Sequence, residues 1–156
     1  MITSKYSQLD TPALIIDYDI VKRNIYAMQE KADKFGVKLR PHTKTHKMPD
    51  LARLQVESGA AGITVAKVGE AEVMAAHGLQ DIFIANEIVG ISKLERIREL
   101  SRNIRVRLGV DNAFQVFNAD RQAKTQQITL CFNNAMIMFE CQHGVEAQPE
   151  IAFKQS

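Results

Sequence analysis

Apolar residues recur along the first two thirds of the chain in two alternating modes, short unbroken runs and stretches spaced by three and four. Pro12 to Asp17 is a run of the first kind. After it, Ile20, Ile25, Met28, Ala32 and Phe35 fall at helical spacing until Gly36. Val37 to Arg40 is again strand-like. Pro49 opens a helix reaching Ser58, and Gly59 is placed to end it by accepting a left-handed backbone. Gly62 to Ala66 reads as a strand, Val68 to His77 as a helix stopped by Gly78, and Asp81 to Ala85 as the next strand. Ile91 to Leu100 is a helix after Gly90, followed by a strand over Ile104 to Val110. Strands separated by helices pair in parallel through right-handed crossovers, so the predicted class is α/β with a parallel sheet. Beyond Phe114 the pattern weakens: 118–127 is polar without a clear period. Residues 128–140 are apolar but interrupted by Asn133 and Asn134, with a further strand expected near Ile128.

Periodicity does not separate an open doubly wound sheet from a closed (β/α)₈ barrel, because both share this repeat. No G-x-G-x-x-G and no phosphate-loop motif follows any of the strands. A closed barrel takes ~250 residues, so 156 residues would supply only about half of one.

Composition adds little to that picture. The chain is 46% hydrophobic and 24% charged, as expected of a globular domain, and its net charge of +2 is interleaved rather than gathered in a basic block. Nucleic acid is not an expected partner. Cys131 and Cys141 are too few for a disulfide framework, which points to a reducing, cytoplasmic setting. Met1 to Asp10 lacks the basic-then-apolar pattern of a signal peptide, and no apolar run approaches the ~20 residues that span a bilayer, so no membrane partner is expected.

The densest chemical cluster is Arg40-Pro41-His42-Thr43-Lys44-Thr45-His46-Lys47, between the Val37 strand and the helix opened by Pro49. Pro41 cannot donate to a ladder, so pairing should stop there and the residues beyond it lie at the carboxyl end of the sheet, where parallel α/β folds place their active sites. In an extended chain Arg40, His42, Lys44 and His46 would point one way and Thr43, Thr45 and Lys47 the other. A lysine among cationic neighbours is harder to protonate, which favours the neutral amine that attacks an aldehyde. On the residues alone, a Schiff-base lysine at Lys44 stands beside a second reading, a solvated basic loop whose histidines bond locally.

Four blocks in order carry a resemblance: Leu9-Asp10-Thr11-Pro12-Ala13; Leu39 through Lys47; Gly59-Ala60-Ala61-Gly62-Ile63-Thr64-Val65-Ala66 leading to Glu70-Ala71-Glu72; and Asp81-Ile82-Phe83-Ile84-Ala85-Asn86-Glu87. They resemble the D-threonine aldolase and D-serine dehydratase family. The resemblance implies a parallel (β/α)₈ barrel of alanine racemase type, only partly present in this chain, that carries pyridoxal phosphate. It implies Lys44 as the catalytic and cofactor-binding lysine, with His42 and Arg40 shaping the cofactor's surroundings. It further implies a lyase acting on small D-hydroxy-amino acids, either an aldolase converting D-threonine to glycine and acetaldehyde, which is favoured, or a D-serine dehydratase. A divalent metal belongs to the intact family, with ligands in a β-rich C-terminal domain absent from this chain, so no metal ligand is assigned. A homo-oligomer is an expected assembly.

Other positions carry weaker expectations. Arg40 has the alternative of pairing with a carboxylate at a strand end. Asn86 and Glu87 follow a strand on the catalytic face, His77 sits where a helix end favours a cation, and Cys141-Gln142-His143 offers two metal-type ligands without a site. The resemblance covers 9–112, the N-terminal part of the cofactor-binding barrel. Residues 113–156 are expected to be a divergent tail of a truncated or frame-disrupted reading, lacking the later cofactor loops and with them much of the active site. Two readings of another class follow from that: an inactive barrel fragment, and a non-catalytic pyridoxal-phosphate-binding protein.

Overall fold

A computed structural model describes residues 6–116, 119, 128–132 and 138–139. The chain divides into two compact units, Met1–Val37 and Lys38–Ser156.

The first unit is built on helix α1 (Tyr18–Lys34). Asp17 caps it by accepting from the backbone N–H groups of Asp19 and Ile20, both at 3.1 Å. Asp19 in the first turn and Lys31 and Lys34 in the last complement the helix dipole. Gly36, with φ of 66°, turns the chain out of the helix in a conformation that costs a residue without Cβ little. The strand expected over Pro12 to Asp17 does not form among the described residues. A strand needs a ladder partner, the segment has none, and Leu14, Ile15 and Ile16 stay exposed.

The second unit holds a five-stranded sheet in sequence order: β1 (Ile63–Val65), β2 (Asp81–Ile84), β3 (Arg105–Val110), β4 (Ile128–Phe132) and β5 (Met138–Phe139). β1 to β4 are parallel; β5 returns antiparallel to β4. Only 133–137 separates those two strands, too short a connection for a crossover, so an antiparallel return is what the chain length permits. Helices α2 (Pro49–Glu57), α3 (Val68–Ala76) and α4 (Ile91–Leu100) lie where the hydrophobic periodicity predicts them. The Val37 to Arg40 strand is shifted and reduced. Leu39 and Pro41 carbonyls accept from Ala61 and Thr64 at 2.9 and 2.7 Å, and His42 bridges Thr64 in parallel, but no continuous ladder forms because Pro41 has no N–H.

Register fixes the core. Ile63, Ile82, Val106 and Ile128 are partners across the sheet, as are Val65 and Ile84 with Leu108 and Leu130. All but the half-buried Leu130 are buried, in one cluster with Ala52, Ala71, Met74, Leu94 and Ile97 from the helices. One residue along, the partners His42, Thr64, Phe83, Arg107 and Thr129 share the opposite face. Among the described residues no helix is long and apolar enough to cross a membrane.

Ile82 is fully buried in the centre of this cluster. Ile82→Ala should cost about 2–5 kcal/mol, read as a lower urea midpoint; a loss under ~1 kcal/mol would mean that the sheet is not packed on its helices as described.

Candidate active site

The site begins where the ladder ends. After the His42 bridge the backbone closes into a single 3₁₀ turn, Thr43–Thr45, instead of continuing extended. Thr43 explains the turn: its side chain is buried, its hydroxyl donates to the Thr64 carbonyl at 3.2 Å, and its own carbonyl accepts from the N–H of His46 and of Lys47. His42 Nδ1 accepts the Lys44 N–H at 3.2 Å, and His46 Nδ1 accepts the Met48 N–H at 3.0 Å. Lys44 therefore stands on a turn two residues beyond the bridge, at the carboxyl side of the paired stretch, and not at the end of a continuous strand. The turn interrupts the alternation expected of Arg40, His42, Lys44 and His46. Lys44 is exposed, and its amine makes no hydrogen bond or ion pair among the described residues.

Lys47 closes the turn with φ of 53°, a left-handed conformation unusual for a residue with a side chain. Its ammonium pairs with Glu70 at 3.1 Å. The other Glu70 oxygen accepts the Ala66 N–H at 2.8 Å, which ties the Lys44 turn to the loop after β1. Burial pushes the Glu70 carboxyl up, but the Ala66 N–H and the Lys47 ammonium more than offset it and hold it below its ordinary value. Glu70 was legible only as part of a resemblance block; no local pattern announces a partner on another element.

Arg40 points back toward the amino ends of the strands. Its guanidinium meets the Asp81 carboxylate at 2.8 Å and the carbonyls of Ala61, Ile63 and Asp81 at 3.3–3.4 Å. Gly62 makes room for it, since a Cβ there would collide with that guanidinium and with the Asp81 carbonyl. Asp81 also binds Arg107 at 3.2 Å and Arg105 at 3.6 Å. Arg107 is buried, its Nε lacks a partner among the described residues, and burial lowers its pKa against the pull of Asp81. The pairing of Arg40 with a carboxylate at a strand end was expected as its alternative role, whereas the convergence of Arg105 and Arg107 on the same carboxylate was missed in the sequence. The signal available was Arg105 and Arg107 two apart in an otherwise apolar strand, which puts both on one face.

Asn86 and Glu87 line a cleft of about 360 Å³ with Lys67, Lys93 and Arg96, at the carboxyl ends of β1 and β2. Arg96 is held there by Glu72. His77 bonds the Val73 carbonyl within its own helix. Among the described residues no group of three or more His, Cys, Asp or Glu side chains is arranged to hold a metal ion. Cys141 and His143 lie outside the described residues.

The family model for the alanine racemase N-terminal domain matches residues 16–148. The chain belongs to that family. It is 44% identical over 123 residues to a D-threonine aldolase of Arthrobacter sp., covering 77% of this chain and 32% of that protein. It is 51% identical over 77 residues to a D-threo-3-hydroxyaspartate dehydratase of Delftia sp. (strain HT23), covering 49% of this chain and 20% of the relative. The crystal structure of D-threonine aldolase from Filomicrobium marinum superposes with a TM-score of 0.77 at 36% identity, covering 82% of this chain and 37% of that one. The parallel sheet and its helices are thus part of an alanine racemase-type α/β barrel. The chain spans roughly a third or less of the length of these relatives, and the family match reaches past Asn112, where the quoted resemblance ends.

Two histidines give the site a pH signature. Burial lowers the pKa of His46 from 6.5; burial and then the Lys44 ammonium lower that of His42, with Glu70 opposing. As pH falls through 6.5 the unfolded chain binds protons that the folded chain resists, so the stability present above 6.5 is lost below it. The urea midpoint should therefore drop between about pH 7.5 and pH 5, and less so in His46→Asn, which keeps an acceptor for the Met48 N–H. An identical slope in that variant would place the titration elsewhere.

Proposed function

We propose that this chain is the pyridoxal-phosphate-bearing part of a lyase acting on D-hydroxy-amino acids, with Lys44 as the cofactor lysine. The observation that carries the reading is the exposed Lys44 amine, unpaired among the described residues, on a buttressed turn at the carboxyl side of a parallel sheet. The residues present fit the cofactor. Lys44 offers a primary amine and His42 stands beside it, held toward its neutral form by burial. Ala66 and Ala85 follow the ends of β1 and β2 beside Gly109 of β3, so the carboxyl ends of these strands carry small side chains. When bound, pyridoxal phosphate supplies an aldehyde for the amine and a ring that accepts electrons from the substrate α-carbon.

The chain's own residues hold the geometry. Thr43 fixes the turn to β1, and His42 orients its backbone through the Lys44 N–H. Arg40 acts at one remove: its guanidinium braces Asp81 and the strand starts, so it supports the turn through the backbone rather than by touching the cofactor.

We favour cleavage of D-threonine to glycine and acetaldehyde, because the similarity to the Arthrobacter aldolase covers the larger share of this chain. Loss of water and then ammonia from a D-hydroxy-amino acid is the second reading, supported by the dehydratase among the relatives.

Incubation with pyridoxal phosphate followed by borohydride should leave a stable adduct on Lys44, located by peptide mass mapping, and Lys44→Ala should abolish that adduct without changing the circular dichroism of the fold. Label spread evenly over exposed lysines such as Lys31, Lys34 and Lys44 would overturn the assignment.

A further inference from the structure

Lys44 and Lys47 lie three residues apart on one turn, and both are exposed, so accessibility does not say which of them meets an aldehyde. Their partners differ. Lys47 is tethered twice, through its N–H to the Thr43 carbonyl at 2.7 Å and through its ammonium to Glu70 at 3.1 Å. Glu70 is itself fixed: its side chain is 12% exposed, it sits in the first turn of α3 where the helix dipole favours an anion, and its second oxygen holds the Ala66 N–H. Lys44 has no such carboxylate among the described residues.

We propose that Glu70 decides which lysine of this turn reacts with a carbonyl compound, by engaging the Lys47 nitrogen in an ion pair and leaving the Lys44 nitrogen unengaged. The inference rests on the reading of Lys44 as the cofactor lysine and adds a positioning role that the reading does not contain. The chemistry needs a nitrogen lone pair. The free amine attacks the aldehyde carbon, the aldehyde oxygen leaves as water with the two amine protons, and hydride from borohydride, with a proton from solvent, reduces the C=N bond to a secondary amine. A nitrogen held against a carboxylate must first leave that partner before it can reach a carbonyl carbon, a step the Lys44 nitrogen is spared.

The test is the distribution of label, measured on the full chain with pyridoxal phosphate and borohydride at low conversion. In the unaltered chain Lys44 carries more label than Lys47. In Glu70→Gln the side-chain carbonyl still accepts the Ala66 N–H but the ion pair is gone, and the share on Lys47 relative to Lys44 should rise about two- to fivefold, the range expected for a partly exposed pair. A purely structural role for Glu70 would alter total labelling or folding without moving label onto Lys47. Should Glu70→Gln fail to fold, the unaltered chain in about 1 M salt gives the same readout, because screening weakens an exposed pair. An unchanged Lys47 share in the folded variant, or in high salt where the variant does not fold, overturns the role of Glu70 while leaving Lys44 assigned. Label in the unaltered chain that favours neither lysine over distant ones overturns the Lys44 assignment, and this inference with it.

Discussion

In a parallel ladder, register partners point to the same side of the sheet, and the second unit of this chain is organised by which parity is buried. Ile63, Ile82, Val106 and Ile128 share one face with Val65, Ile84 and Leu108, and all are packed away from solvent. A slip by one residue would drive Arg107 among the helices and bring Ile82 and Val106 out, so apolar burial sets the register firmly. The polar face is then not free to vary. His42, Thr64, Phe83, Arg107 and Thr129 are collected there because their neighbours are needed in the core.

That collection creates an electrostatic problem that Asp81 resolves in part. Three guanidinium groups converge on one carboxylate, and the most buried of them, Arg107, keeps an Nε without a partner among the described residues. Removing the carboxylate would leave half-buried cations facing one another, a larger penalty than the pairs are worth as attractions. Cys131, on the same face two residues beyond Thr129, is affected as well. Burial pushes its thiol up, and the arginines oppose that shift. The strand starts are therefore knit together by charge, while the strand ends beside Lys44 are knit by hydrogen bonds to the backbone.

The helices and strands of the second unit were legible because period and punctuation agree: α4 runs over Ile91–Leu100 as its spacing of apolar residues says, and Gly59 and Gly78 follow the helices they end. The elements that differ are those whose partners are remote or missing. Pro12 to Asp17 has the composition of a strand, yet a strand is defined by a neighbour. At Val37 to Arg40, Pro41 was expected to end the pairing, yet the bridge to β1 lies one residue beyond it, at His42, and the turn made by Thr43 depends on a carbonyl 21 residues away. Lys44 was singled out through a motif. Glu70 and Asp81 act on residues more than 20 positions distant, and nothing local distinguishes them from solvated acids.

The turn that carries Lys44 shows how such distant contacts matter. A left-handed Lys47 costs on the order of 1–2 kcal/mol relative to an ordinary backbone. The conformation persists because three features over-determine it: the Thr43 hydroxyl on Thr64, the Thr43 carbonyl on the Lys47 N–H, and Glu70 on the Lys47 ammonium. The first and third anchor the chain to β1 or to the loop that follows it, the second closes the turn on itself, and none involves the Lys44 side chain. The arrangement fixes the backbone on both sides of an amine while leaving that amine unengaged, which is what a lysine needs if it is to exchange one covalent partner for another without the surrounding chain moving.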